Sequence, residues 1–243
     1  GLILTEAGEM LFNTVRDVFG KLVAIETRIT DTRERPSGLL RITATVAFGS
    51  IWLVPRLREF MELYPEISLQ LLIDNDELDL GMREADCAVR LRPPRQPDLI
   101  QRHLMAIHTH VFASPAYLKK YGTPQTAADL DRHKIIIFGE DPKPPFPQVN
   151  WLLEAGAPAG RRRTPVLEVN NVYAILRAVE NGVGIAAFPD YMAQESSKIV
   201  QILQDLEGPI YETYFVYPEE MRNSKRIAVF RDFLLRKVAE TRF

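Results

Sequence analysis

Two stretches of the sequence join a strand-like segment to a helix-like one through neutral residues carrying amides or hydroxyls. Residues 44–50, with Thr45, Val46, Phe48 and Ser50, form the first, and residues 169–172, with Asn170, form the second. A helix start offers free N–H groups and a partial positive field, so each junction suits the carboxylate of a small ligand. In parallel α/β folds such ends line a crevice, and two lobes would bring both junctions to one cleft. Ordinary N-capping by Ser50 or Asn170 accounts for the same residues equally well.

No catalytic constellation accompanies these junctions. The sequence has no Gly-x-Ser-x-Gly elbow and no Walker loop, and Gly182-Val183-Gly184 ends a helix before a strand, the reverse of the dinucleotide-binding order. A helix C-cap explains those glycines. His108 and His110 share one face of a strand with His103 nearby, but no carboxylate or cysteine cluster matches them, so no metal and no cofactor is expected. Asp74, Asp76, Glu77 and Asp79 crowd a turn, where capping and solvating a short helix is favoured over acid/base work or a cation site. The run Arg161-Arg162-Arg163 reads as a solvated loop rather than a phosphate contact. Cys87 lies inside an apolar strand and reads as a small buried hydrophobe; Arg90 and Arg92 close by keep a redox-sensing thiol as the alternative.

The elements that must position these residues follow from periodicity. Residues 5–30 read as a helix with apolar residues at Leu11, Val15, Val18, Leu22, Ile25 and Ile29. The gaps alternate four and three, the 3.5-residue repeat of a coiled-coil seam, which predicts dimerisation; a plain amphipathic helix covering its own domain is the alternative. Charged residues, Pro36 and Gly38 then end the helix in a hinge. Beyond it, strand-like segments at 39–46, 67–73, 87–91, 101–113, 134–138, 166–169, 184–188 and 211–217 alternate with helical ones at 51–63, 77–84, 115–121, 172–181 and 224–239. The alternation predicts α/β layering with largely parallel sheets, and Ser114-Pro115 is the expected crossing between lobes. Four prolines in 141–148 predict an irregular surface excursion.

The totals narrow the class. A chain of 243 residues, 46% apolar and 26% charged, can bury a sizeable core. Thirty Lys and Arg against 32 Asp and Glu leave a net charge of −2, so the basic footprint of a nucleic-acid-binding domain is missing. No apolar run approaches the roughly 20 residues that span a bilayer. One cysteine excludes an internal disulfide framework and fits the cytoplasm. The chain opens on Gly1 and enters a helical pattern at once, which implies an upstream segment.

Several segments, in order, carry a resemblance to a family. Leu4-Thr5-Glu6-Ala7-Gly8, Gly38-Leu39-Leu40-Arg41-Ile42, Tyr64-Pro65, Ala85-Asp86-Cys87-Ala88-Val89-Arg90, Ala113-Ser114-Pro115-Ala116-Tyr117-Leu118, Gly182-Val183-Gly184-Ile185-Ala186 and Phe188-Pro189 together resemble the LysR-type transcriptional regulators. The resemblance implies an α/β fold of two Rossmann-like lobes of periplasmic-binding-protein type II architecture, joined by crossover strands and preceded by a long dimerisation helix. The implied division is a linker helix at 1–36 and an effector-binding domain at 37–243, with lobe I at 37–112 and 217–243 and lobe II at 113–216. It implies no enzyme, but a cytoplasmic homodimer or homotetramer that contacts DNA through an N-terminal winged helix-turn-helix head absent from this sequence. A small organic effector would sit in the cleft between Thr45, Val46, Phe48, Ser50, Asp74, Asn75, Arg90, Ser114, Phe138, Asn170 and Phe188. Arg90 would suit a carboxylate, whereas Asp74 would repel one and favour an amine or an amino acid. A regulator signalling through Cys87 and a periplasmic-type solute-binding protein remain the other readings, the second leaving the heptad helix unexplained.

Overall fold

The computed structural model describes residues 4–31, 35–93, 98–139, 148–194 and 196–241. Of the proline-rich stretch at 141–148, all but Gln148 lies outside them. Helix α1 (Glu6–Asp31) starts at Thr5, whose Oγ1 accepts from the Gly8 N–H at 3.2 Å, as a cap should. Along its seam Leu11, Val18, Leu22 and Ile25 are between 52% and 65% exposed, Val15 is half-buried, and Ile29 falls outside the described side chains. The helix touches the rest of the chain at a single-turn 3-10 helix, Glu219–Met221. No helix among the described residues is long and apolar enough to cross a membrane.

The strands among the described residues are β1 (Gly38–Ala44), β2 (Ile67–Ile73), β3 (Cys87–Arg90), β4 (Leu99–Ala113), β5 (Ile136–Phe138), β6 (Leu167–Val169), β7 (Ala186–Pro189), β8 (Val200–Ile202) and β9 (Ile210–Pro218). The α-helices are α2 (Val54–Leu63), α3 (Pro115–Tyr121), α4 (Val172–Glu180), α5 (Asp190–Gln194) and α6 (Lys225–Glu240). Seven strands share one sheet in the order β2-β1-β3-β9-β4-β7, with β8 also on β4, while β5 and β6 form a second, parallel pair.

The main sheet is mixed, not largely parallel. Strand β1 runs parallel to β2 and β3, but β9 is antiparallel to both β3 and β4, and β4 is antiparallel to β7 and β8. The cause is β9, which returns from late in the chain to fill the gap between β3 and β4. Strand β4 does the joining. It pairs with β9 from Leu99 to His108 and with β7 from Thr109 to Phe112, so its ladder links the half of the chain around β1–β3 to the half around β5–β8. The change of partner thus falls inside β4, ahead of Ser114, which instead caps α3 by accepting from the Tyr117 N–H at 3.3 Å. Between His103 and Met105 the β4–β9 register shifts by one residue, leaving Leu104 as the extra residue of a bulge. The buried Thr213 hydroxyl bridges the bulge: it donates to Met105 O at 2.7 Å and accepts from Met105 N at 3.2 Å.

Strand alternation divides the core. Phe112 packs with Phe188, ring centroids 4.5 Å apart, on one face of β4, while Val111 and Ala113 face a second cluster with Tyr117, Leu130 and Leu152. Beneath β1–β3, α2 and α6 meet through Phe60, Phe230 and Phe233, with Phe60 edge-on to both partners at 5.1 and 5.2 Å. Two further expectations fail here. Residues 77–84 form turns and no helix, because their polar groups close on one another: Asp79 accepts from Gly81 and Met82 N–H, Glu84 accepts from Asp79 N–H, and Arg83 adopts φ 65°. Arg163 is no part of a solvated loop: its side chain is 5% exposed and threads between the 3-10 helices Ala127–Arg132 and Trp151–Leu153.

Candidate functional site

The first strand-to-helix junction does not open with a capped α-helix. Residues Phe48–Leu53 form a π-helix that runs directly into α2, its first residue preceded by Ala47 with no side-chain cap, and Ser50 lies inside it. Such wide turns occur often at functional sites because they re-aim side chains. Here they send Phe48 inward. It is fully buried, stacked on Trp52 at 4.9 Å and edge-on to Tyr191 of α5 at 5.9 Å, an aromatic contact between the two halves of the chain. Phe188 is equally buried. At the second junction the cap of α4 is Asn171, not Asn170: Asn171 Oδ1 accepts from Ala174 N–H at 3.2 Å, and its extended backbone (φ −145°, ψ 115°) suits a cap, while Asn170 is exposed.

A cavity of about 250 Å³ lies at the carboxyl ends of β1, β2 and β3, lined by residues 43–45, 74–77 and 88–92. This is where open α/β sheets hold ligands, because strand ends there leave polar backbone and short loops around a crevice. It gathers Thr45, Asp74, Asn75 and Arg90 of the expected set. Val46 adjoins it, donating its N–H to Asn75 Oδ1 at 3.4 Å. Phe138 instead lines a cavity of about 10 Å³, beside Asn150 and Val172, too small for more than a water. Ser114 and Asn170 lie on the linings of neither cavity.

Arg90 is the most deeply buried charged residue on the cavity lining. Its side chain is 7% exposed, Nη2 donates to Leu78 O at 2.9 Å, and Nη1 stands 3.9 Å from Glu77 Oε2. Its Nε is buried with no acceptor among the described residues, and the Thr45 hydroxyl is likewise buried and unpartnered. Burial lowers the Arg90 pKa, Glu77 opposing the shift, but a guanidinium remains charged. Both atoms belong to residues that line the cavity but are themselves inaccessible to solvent, and an unpaired buried polar group is costly.

The expected set omitted Glu77 and Arg92, which also line the cavity and pair with each other at 2.6 Å. Strand periodicity offered the signal, since Arg92 stands two residues beyond Arg90 and so on the same side of the chain.

The remaining candidates resolve structurally. His103 bonds Glu212, His108 Nδ1 lies 3.4 Å from Asp190 Oδ2, and His110 stacks on His108. Among the described residues no cluster of three or more His, Cys, Asp or Glu could hold a metal ion. Cys87 is fully buried, its thiol pKa pushed well up by desolvation and by the Asp86 charge. A reactive thiol needs access and a lowered pKa, and this one has neither. The native chain is therefore expected to react with Ellman's reagent at least about a hundredfold more slowly than the unfolded chain. Comparable rates would return Cys87 to consideration as a redox sensor.

Comparison with known proteins identifies the fold. Residues 33–239 match the family model "LysR substrate binding domain". An HTH-type transcriptional regulator of Xanthomonas campestris pv. campestris (strain 8004) is 29% identical over 97% of this chain and 70% of its own length. The HTH-type transcriptional regulator CrgA of Neisseria meningitidis serogroup C (strain 8013) is 27% identical over 98% of this chain and 79% of its own. The solved structure of CrgA superposes with a TM-score of 0.75 at 26% identity, covering 96% of this chain and 80% of that one. The full-length structure of AphB, a virulence activator of Vibrio cholerae, gives 0.67 at 28% identity, covering 96% and 80%. These relatives are transcriptional regulators and not enzymes, and the mixed α/β fold is the periplasmic-binding-protein-like one of their regulatory domains. The chain belongs to the LysR-type transcriptional regulators and carries their substrate binding, or regulatory, domain behind an N-terminal helix.

Proposed function

We propose that this chain is the effector-sensing and oligomerising part of a cytoplasmic DNA-binding regulator, with a winged helix-turn-helix head preceding it. In this reading the halves around β1–β3 and β5–β8 are two Rossmann-like lobes of periplasmic-binding-protein type II arrangement, with β4 and β9 as their crossover strands. A small organic effector occupies the cavity beside Arg90 and stabilises one arrangement of the lobes. Seam-to-seam pairing of α1 in a homodimer or homotetramer transmits that arrangement to the DNA heads. The mechanism is a population shift: the effector changes DNA affinity only by its differential affinity for the two arrangements.

The observation that carries the proposal is the cavity itself, at the carboxyl ends of three parallel strands, with the buried Arg90 Nε and Thr45 hydroxyl lacking partners. A ligand at a hundred times its Kd stabilises the fold by about 2.7 kcal/mol, a readily measured rise in melting temperature. Thermal denaturation of the chain against a metabolite library is expected to find at least one such compound, with the shift lost in Arg90→Gln. A library without a single stabilising compound, or stabilisation that survives Arg90→Gln, would count against a sensor at this site.

A further inference from the structure

We infer that the surface formed by residues 117–134 and 161–166, in the half around β5–β8, is a contact for the phosphate backbone of duplex DNA. This goes beyond the sensing role and does not depend on the cavity. The net charge of −2 over the whole chain conceals a local excess of the opposite sign. The two segments hold Lys119, Lys120, Arg132, Lys134 and the three arginines at 161–163 against the carboxylates of Asp129 and Asp131. Glu154, beside the Ala155 carbonyl that Arg163 binds, adds a third carboxylate.

Topology brings the segments together. Strands β5 and β6 are parallel, with Ile136 opposite Leu167, so the residues leading into them emerge at the same end of the pair. Arg161 Nη2 bonds Asp131 Oδ2 at 3.1 Å across the gap, and Lys134 N donates to Tyr117 Oη at 2.9 Å, which ties α3 to that end. The Nζ atoms of Lys120 and Lys134 stand 5.1 and 5.0 Å from the centre of one exposed ring, that of Tyr121. Hydrogen bonds from Lys134 and Lys120 hold its phenol below the ordinary pKa. Arg132 and Arg161 are offset by Asp129 and Asp131, whereas Lys119, Lys120, Lys134 and Arg162 are exposed and pair with no carboxylate among the described residues. Spaced, unpaired cations suit a run of phosphates, each neutralised by one Lys or Arg with release of a counterion. A protein or membrane partner would want apolar anchors. In these segments only Tyr121 and Val166 are exposed large apolar side chains, and Tyr121 is already engaged by its lysines.

Fluorescence anisotropy of a labelled duplex of mixed sequence tests this on the chain as it stands. At about 50 mM salt binding is expected, with the logarithm of the affinity falling against that of salt at a slope of about −3 to −4, as roughly four neutralised phosphates give. Lys120→Gln combined with Lys134→Gln is expected to weaken binding at least about tenfold and to reduce the slope by about 2. Both side chains are exposed, and the melting temperature reports that the variant is folded. Lys198→Gln, exposed beyond α5 and outside these segments, is expected to bind as the unmodified chain does. Poly-L-glutamate should displace the duplex at least about tenfold less well than unlabelled DNA of equal charge, because its charges are less dense. Absence of binding, a double variant that binds as tightly as the unmodified chain, or an equal loss in Lys198→Gln overturns the contact. Equal competition by polyglutamate overturns it in favour of an acidic protein. None of these outcomes touches the sensing role, which Arg90→Gln decides.

Discussion

Replacing Arg163 with methionine is expected to destabilise the chain by about 3–5 kcal/mol, the largest effect foreseen for any single substitution here. Its guanidinium ties the 3-10 helix Ala127–Arg132 to the segment around the 3-10 helix Trp151–Leu153. Nη1 donates to Ala155 O at 2.7 Å and to Leu152 O at 3.1 Å, Nη2 donates to Ala127 O at 3.0 Å, and Nε bonds Asp131 at 2.7 Å. The methionine would fill much of the space but leave those carbonyls in a buried site without a donor. Against a typical domain stability of about 5–15 kcal/mol, that is a large fraction.

The carbonyls, not the ion pair, should account for most of the loss, because Asp131 keeps Arg161 as a second partner at 3.1 Å. Asp131→Asn is thus expected to cost about 1 kcal/mol or less. Arg163→Lys should recover little, since one ammonium cannot reach acceptors that the planar fork reaches in several directions. Urea unfolding of the three variants decides the matter. A cost under about 1 kcal/mol for Arg163→Met would mean that water or a local shift satisfies the carbonyls.

The second large effect belongs to the N-terminal seam. Val18→Glu combined with Leu22→Glu is expected to weaken self-association at least about a hundredfold, read by sedimentation equilibrium. Both side chains stand more than half exposed on α1, at 52% and 57%, one helical turn apart in the run that begins at Leu11. Two carboxylates there would have to be desolvated side by side against a partner helix. The melting temperature of the separated subunit should hardly change, because α1 meets its own domain elsewhere, at the 3-10 helix next to Gly20. An unaltered association state would show that the seam makes no intersubunit contact.

Local pattern was a good guide wherever local forces decide. Strand β2 falls on residues 67–73 and α3 on 115–121, as their apolar spacing and the Ser114-Pro115 start predict. The same logic failed at residues 77–84, where Asp79 and Glu84, side chains able to cap a helix, fold back on a turn. The mixed sheet was hidden for a different reason. Pairing Arg90 with Tyr214 and Gln101 with Val216 joins segments more than a hundred residues apart, and no local period reports such a partner.

The candidate site divides the same way. Thr45, Asp74, Asn75 and Arg90 were legible because parallel strands bring their carboxyl ends to one rim. Phe48 and Phe188 face aromatic packing, since the π-helix that turns Phe48 inward depends on where Trp52 and Tyr191 stand. The cap of α4 is Asn171 where Asn170 was expected, and what distinguishes it is an extended backbone and a side-chain bond to the Ala174 amide that local spacing does not report.

The Leu104 bulge acquires a mechanical meaning from its place. Strands β4 and β9 stay in register on either side of it, so stretching or shearing them would break many backbone bonds at once. Twisting about their common axis needs none to break, and the extra residue already over-winds the ladder at that point. Thr213 clasps the over-wound step from the opposite strand. Twist of one half against the other, in the manner of a torsion bar, would therefore concentrate at the bulge.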